Sequence, residues 1–135
     1  MKFLVDVNVL CEPTKSLASD KVKAWLKANR DDCVVDAIVM AEIWRGIVAL
    51  PDGQKKRDLS MWFARLKAEI PCLDWTLETA LEWGPVVTKV KRSGFTIEIR
   101  DTLIAANAKR HNLTVATRNV DDFTRCGAKV VNPFV

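Results

Sequence analysis

Apolar residues fall along this chain in two kinds of pattern, short continuous runs and longer segments with helical spacing. The short runs predict strands that are buried on both faces, because a strand covered by helices on both sides loses its alternation of polar and apolar residues. These runs are, in chain order, residues 2–5, 33–35, 113–117 and 128–131, with a brief extended piece at 71–74. Helical spacing predicts helices at residues 20–28, 37–50, 54–69 and 76–91, and a further helix that carries Asp101 near its start.

Strands that alternate with helices are typical of an α/β/α sandwich with a mainly parallel sheet of four or five strands. A length of 135 residues fits a single domain, residues 1–135, that can bury a proper core. The first strand begins at the second residue and stops abruptly before Asp6, which predicts a central place in the sheet. In the helix at 37–50, the expected buried stripe is Ile38, Ala41, Trp44 or Arg45, and Val48.

The cysteines and the N-terminal sequence indicate the cellular compartment of the protein. Cys11, Cys33, Cys72 and Cys126 are scattered without a CxxC pair, so the sequence indicates neither a zinc site nor a disulfide framework. No apolar run is long enough for a signal peptide or a membrane span. We therefore expect a cytoplasmic protein with no membrane association.

Four acidic residues stand at the ends of apolar segments or interrupt them. Asp6 follows the first strand, Glu42 interrupts the run VVDAIVMAEIW, Asp101 begins a later helix, and Asp122 lies in a polar loop after the next strand. Taken alone, each has an ordinary explanation, such as a helix N-cap for Asp6. Ligands of parallel sheets collect beyond the carboxyl ends of the strands, however, and all four acids could reach that end. They are therefore candidates for one shared site, with Asn8 placed to orient Asp6.

The charge of the chain adds a weaker signal. The formal net charge is +4, and Lys and Arg are spread through the middle of the chain. Any single lysine is best explained as part of a solvated helix face. A basic surface around an acidic pocket would nevertheless suit a metal-dependent enzyme that acts on nucleic acid.

Four segments together resemble the signature regions of PIN-domain nucleases, and specifically the VapC-type toxins of bacterial toxin–antitoxin pairs. The segments are DVNVLCEP at Asp6, AEIWRGI at Glu42, RDTLIAANA at Asp101 and VATRNVDDF ending at Phe123, and the likeness extends to the closing VVNPF. The resemblance implies a ribonuclease that depends on Mg²⁺ or Mn²⁺ and is inhibited by a cognate VapB-type antitoxin. It also implies homodimers that assemble into larger complexes, and a structured RNA such as a tRNA as a common target.

Carried over to this chain, the family's acidic set falls on Asp6, Glu42, Asp101 and Asp122, with Asn119 as the polar companion and Thr117 as a supporting residue. Asp121 stands beside Asp122, and we prefer Asp122 because it directly precedes Phe123 as in the family pattern. The chain departs from the family at Val7, where a Thr or Ser is usual. Arg45 and Arg100 are the expected contacts to the RNA backbone.

The chemistry of these groups is that of a hydrated hard cation. Mg²⁺ takes one or two carboxylates directly and keeps several waters. We expect Asp6 and Asp101 to be the direct ligands, Glu42 and Asp122 to act through water or a second ion, and Glu42 to accept the proton of the attacking water. His111, the only histidine, lies at a polar helix end and does not fit metal-free RNA cleavage by a histidine pair.

Two alternatives from other classes remain open at this point. One is a catalytically impaired PIN-like domain that only binds RNA or a protein, which the residue at position 7 favours. The other is a phosphoacceptor module with Asp6 as the acceptor, but such sheets usually carry paired acids after the first strand, and here Val7 and Asn8 follow.

Overall fold

The computed structural model describes all residues from Met1 to Val135 and contains one five-stranded sheet with the strand order β3-β2-β1-β4-β5. The strands are β1 (Phe3–Val5), β2 (Cys33–Asp36), β3 (Cys72–Leu73), β4 (Thr114–Ala116) and β5 (Lys129–Val131). All four neighbouring pairs are parallel. The strand β1 is central, as its abrupt sequence predicts, and both Leu4 and Val5 are fully buried.

Seven α-helices flank this sheet, so the predicted α/β/α architecture is confirmed. They are α1 (Val7–Leu10), α2 (Asp20–Ala28), α3 (Ala37–Val48), α4 (Gln54–Glu69), α5 (Leu77–Arg92), α6 (Ile99–Arg110) and α7 (Val120–Arg125). Ser19, Asp36 and Thr76 cap the N-termini of α2, α3 and α5 with their side chains. No helix in the structure combines the length and the apolar composition that crossing a bilayer requires.

The buried face of α3 differs from the predicted stripe. Val39, Ile43 and Ile47 face the core, whereas Trp44 is 46% exposed and Val48 is also exposed. The helix is apolar on nearly every side, so helical spacing alone could not fix its orientation. The ring of Trp44 instead stacks on Phe63 of α4, with 5.2 Å between the ring centroids.

The polar segment after β4 also differs from the prediction, because it is not a plain loop. Residues 120–125 form the short helix α7, with Asp121 and Asp122 in its first turn. Acidic side chains are favourable at that end of a helix, since the unpaired N–H groups there carry partial positive charge. The polar composition that predicted a loop is thus also the composition of a helix start.

The helix α6 is the most deeply packed of the seven. Seven of its residues are buried, and Ala105, Ala106 and Ala108 have no exposed surface. Small side chains let the helix backbone lie close to its neighbours, and α6 packs extensively against α5. This close packing fixes the start of α6, and with it Asp101, near the end of β1.

Candidate active site

Asp6 lies at the carboxyl end of β1 and is 2% exposed. Its Oδ1 accepts a hydrogen bond of 2.8 Å from the backbone N–H of Val7, which makes it the N-cap of α1. Its Oδ2 accepts from the Thr117 hydroxyl at 2.7 Å and from the Asn8 side-chain amide at 3.2 Å. The N-cap explanation and the site explanation are therefore both compatible with the structure, since one oxygen caps the helix and the other meets a residue of the adjoining loop.

Thr117 and Asn8 connect the helix α1 to the loop that follows β4. The Asn8 amide donates to Thr117 Oγ1 at 3.2 Å, and its oxygen accepts from the backbone N–H of Arg118 at 3.0 Å. The backbone N–H of Asn119 donates to Thr117 Oγ1 at 3.0 Å. These contacts hold the carboxyl ends of two neighbouring strands in one arrangement around Asp6.

Asp101 and Asp122 meet at the side chain of Asn119. The Asn119 amide nitrogen donates to Asp101 Oδ2 at 2.8 Å and to Asp122 Oδ2 at 3.0 Å. Asp101 is 1% exposed, and the Asp122 side chain is 28% exposed, whereas Asp121 faces solvent. Of the two adjacent acids, Asp122 is therefore the one that the structure places beside Asp101.

Glu42 lies at the edge of the site, with its side chain 25% exposed. Its Oε1 accepts from Arg45 at 2.6 Å and is 3.4 Å from the guanidinium of Arg100. The hydrogen bond from Arg45 is the main reason that the pKa of Glu42 is lowered, and the charge of Arg100 contributes. A carboxylate with a lowered pKa is a weak proton acceptor, so this geometry favours a role for Glu42 in holding a cation or a water.

Arg100 lies among the acids, with its side chain 31% exposed. Its Nε and Nη2 atoms both donate to Asp101 Oδ1 at 3.3 Å, and Nη2 is 3.5 Å from Glu98. Partial burial disfavours the charged guanidinium, but the charges of Asp101 and Asp6 outweigh it, and the pKa of Arg100 is raised. The two predicted RNA contacts thus differ in exposure, because the Arg45 side chain is 75% exposed and the Arg100 side chain 31%.

The pKa of Asp101 is raised, first by burial and then by the negative charge of Asp6. The hydrogen bonds and the charge of Arg100 act in the opposite direction without cancelling these effects. Asp6, which follows β1, and Asp101, in the first turn of α6, are therefore close enough for their carboxylates to repel each other.

The donor chemistry around Asp6 and Asp101 fits a hydrated Mg²⁺ or Mn²⁺. No three acidic, histidine or cysteine side chains in the structure converge closely enough to enclose an ion on their own. Mg²⁺ does not require such a cage, because it is usually held by one or two carboxylates and keeps its remaining waters. Asp6 and Asp101 could supply those two carboxylates, and Asp122 and Glu42 are joined to Asp101 through Asn119 and Arg100.

A second polar cluster, which the sequence analysis did not find, is buried at the end of β2. The Asp36 carboxylate caps α3 through Val39 at 2.8 Å and accepts from the Asn107 amide at 3.3 Å, and Asn107 in turn accepts from the Thr79 hydroxyl at 3.1 Å. Burial raises the pKa of Asp36. The one signal in the sequence was Asn107, an amide inside the small apolar run LIAANA. This cluster fixes α3, α5 and α6 relative to one another beside the site.

A groove of about 1100 Å³ borders the site at Val7 and Glu42. Its walls come from α3, α4 and the segment after α1, and they include Leu17 and Trp62. The groove contains none of Asp6, Asp101 and Asp122, so it is a neighbour of the acidic site and not the site itself.

Residues 3–129 of the chain match the family model of the PIN domain. The chain is 33% identical to the toxin FitB of Neisseria gonorrhoeae and 29% identical to the VapC ribonuclease Y4jK of Sinorhizobium fredii. The first alignment covers 98% of both chains, and the second covers 98% of this chain and 97% of the relative. Of these two relatives, Y4jK is named as a ribonuclease.

Solved structures agree with this assignment. The crystal structure of FitAcB from Neisseria gonorrhoeae superposes with a TM-score of 0.88 at 32% identity and covers 98% of both chains. A member of the VapBC family of toxin–antitoxin systems, VapBC-5 from Mycobacterium tuberculosis, superposes with a TM-score of 0.62 at 25% identity. That match covers 73% of this chain and 79% of the other.

Proposed function

This chain belongs to the PIN-domain family and is a toxin of the VapC type, and from that premise we propose that it is a ribonuclease dependent on Mg²⁺ or Mn²⁺. The observation that carries the proposal is the pair formed by Asp6 and Asp101. Two almost fully buried carboxylates from different elements approach closely enough that the charge of Asp6 raises the pKa of Asp101. Such repulsion is costly unless a cation relieves it.

When bound, the divalent ion would lower the pKa of a water and neutralise charge on the phosphoryl oxygens of the RNA. Thr117 and Asn8 hold the Asp6 carboxylate in place through its Oδ2. Asn119 holds Asp101 and Asp122 together. Glu42 and Asp122, whose side chains are partly exposed at the edge of this pair, would act through water.

A catalytically impaired PIN-like domain remains the second candidate because of Val7, which lacks the usual hydroxyl. The structure weakens that argument in one respect. Thr117 donates its own hydroxyl to Asp6 at 2.7 Å, so the carboxylate still has a hydroxyl partner at the site. We therefore favour the active enzyme.

The partner we propose is a VapB-type antitoxin that docks an apolar segment into the groove lined by Leu17 and Trp62. Structures similar to this chain include a member of a toxin–antitoxin family, which supports a partner of this kind.

We also propose a homodimer, because Leu77 and Leu81 lie one helical turn apart on α5 and are 72% and 70% exposed. The site of action would be the cytoplasm, where the RNA substrate is found.

The test is RNA cleavage by the purified protein with Mn²⁺, with Mg²⁺ and with EDTA. We expect cleavage of RNA, including tRNA, only with the metal ions. Metal catalysis is worth several kcal/mol, so Asp6→Asn and Asp122→Asn should each lower the rate by at least about a hundredfold. Asp121→Asn is the matched control, because Asp121 is adjacent in sequence but faces solvent, and it should cleave at the wild-type rate. Equal rates with and without EDTA would exclude the proposed chemistry, and no cleavage of any RNA would favour the impaired domain.

A further inference from the structure

Arg100 has more acidic partners than any other cation in the structure. Its guanidinium lies 3.3 Å from Asp101, 3.4 Å from Glu42 and 3.5 Å from Glu98, and it is also attracted by the charge of Asp6. By contrast, Arg45 has one carboxylate partner, Glu42. Arg100 therefore neutralises the same carboxylates that the proposed function assigns to a divalent ion.

Both oxygens of Asp101 already have donors in this arrangement. Oδ2 accepts from the neutral amide of Asn119, and Oδ1 accepts from the charged guanidinium of Arg100. An ion that binds Asp101 must share or replace one of these donors. Two cations a few ångströms apart repel each other, while an amide dipole can remain beside a metal-bound carboxylate. The donor that the ion displaces most readily is therefore Arg100.

We propose that Arg100 is an internal counter-ion that stabilises the metal-free site and competes with the divalent ion for Asp101. The proposal rests on the metal dependence put forward above. It assigns Arg100 a role within the protein, where sequence reasoning predicted only an RNA contact. It also means that the arginine affects the ion concentration at which the site fills, because the metal-free stability that comes from the contact of Arg100 with Asp101 is lost when the ion takes that carboxylate.

The experiment measures Mn²⁺ binding without RNA, by calorimetry, together with thermal melting in EDTA. Arg100→Gln keeps a hydrogen-bond donor but removes the charge. We expect it to melt at a lower temperature than the wild type in EDTA and to bind Mn²⁺ about tenfold more tightly, within the usual range of coupling between two ligands. Arg100→Lys retains the charge and should retain affinity close to the wild-type value.

Arg45→Gln is the control, because it removes a more exposed arginine that contacts the same Glu42. It should change the Mn²⁺ affinity by much less than Arg100→Gln. Mn²⁺ affinity that is unchanged or weakened in Arg100→Gln would overturn the role of Arg100 while leaving the metal site intact. Absence of Mn²⁺ binding by the wild type and all variants would overturn the metal dependence itself, and the competition with it.

Discussion

Asp6 shows how one carboxylate can serve both a local and a distant partner. Its capping hydrogen bond comes from Val7, the next residue, and could be inferred from the sequence. Its bond to Thr117 spans 111 residues, and no spacing rule predicts it. Sequence reasoning could therefore propose one shared site from the strand ends, and the resemblance to a family named the same four acids, but neither gives the contacts between them. The bonds from Asn8 to Thr117 and from Asn119 to Asp101 join different elements and are visible only in the structure.

Asp101 should make metal-free stability depend on pH in an unusual direction. A carboxyl group whose pKa is raised in the folded state stabilises the protein fully below its unfolded pKa, about 3.9, and loses that contribution as pH rises through the folded value. Asp101→Asn removes this titration and the repulsion with Asp6. In EDTA, the free energy of unfolding of the wild type relative to Asp101→Asn should therefore fall as the pH rises above about 4.

Urea unfolding at a series of pH values measures that difference. Asp121→Asn serves as the comparison, because its carboxylate faces solvent. A wild-type protein that gains stability relative to Asp101→Asn as the pH rises would show that the contacts with Arg100 and Asn119 dominate instead.

At the scale of the elements, the sequence predicts the order of strands and helices well because apolar runs and helix caps are local signals. Asp36 and Thr76, for example, directly precede helical segments and cap them with their side chains. The helix α7 was missed for a local reason, because its polar first turn has the same composition as a loop. The buried face of α3 depends on contacts between elements, such as the packing of Trp44 on Phe63, and was therefore missed. The same holds for the buried cluster of Asp36, Asn107 and Thr79, which joins three helices.

That cluster gives a prediction for the packing of α5 on α6. Thr79→Val keeps the shape of the side chain but leaves the buried oxygen of Asn107 without its donor. An unsatisfied buried polar group costs about 1–3 kcal/mol, so the free energy of unfolding should fall by that amount. Thr88→Val on the same helix, where the side chain is exposed, should change it by less than about 0.5 kcal/mol. Equal effects in urea unfolding would show that Thr79 contributes through helix propensity and not through the hydrogen bond.

At the scale of the whole molecule, the acidic site and the apolar groove are adjacent but separate. They share Glu42, which lines the groove and also contacts Arg100. An antitoxin segment in the groove would therefore end beside the acids without needing to enter the fold. In the proposed complex, a segment in the groove would therefore contact Glu42 at the edge of the acidic site.

Antitoxin binding should therefore depend on the walls of the groove and not on the charge of the molecule alone. Buried tryptophans at interfaces often contribute 2 kcal/mol or more, so Trp62→Ala should weaken the complex with the cognate antitoxin by roughly thirtyfold in calorimetry. Because Trp62 also packs against the core, Leu17→Ser is the second variant. Leu17 is 93% exposed, so its removal cannot disturb the core, and it should still weaken binding. Met61→Ala, an exposed neighbour outside the groove, should bind like the wild type. If Trp62→Ala and Leu17→Ser both bind with wild-type affinity, the antitoxin docks on another surface, since the groove has then lost contacts from two of its walls without effect.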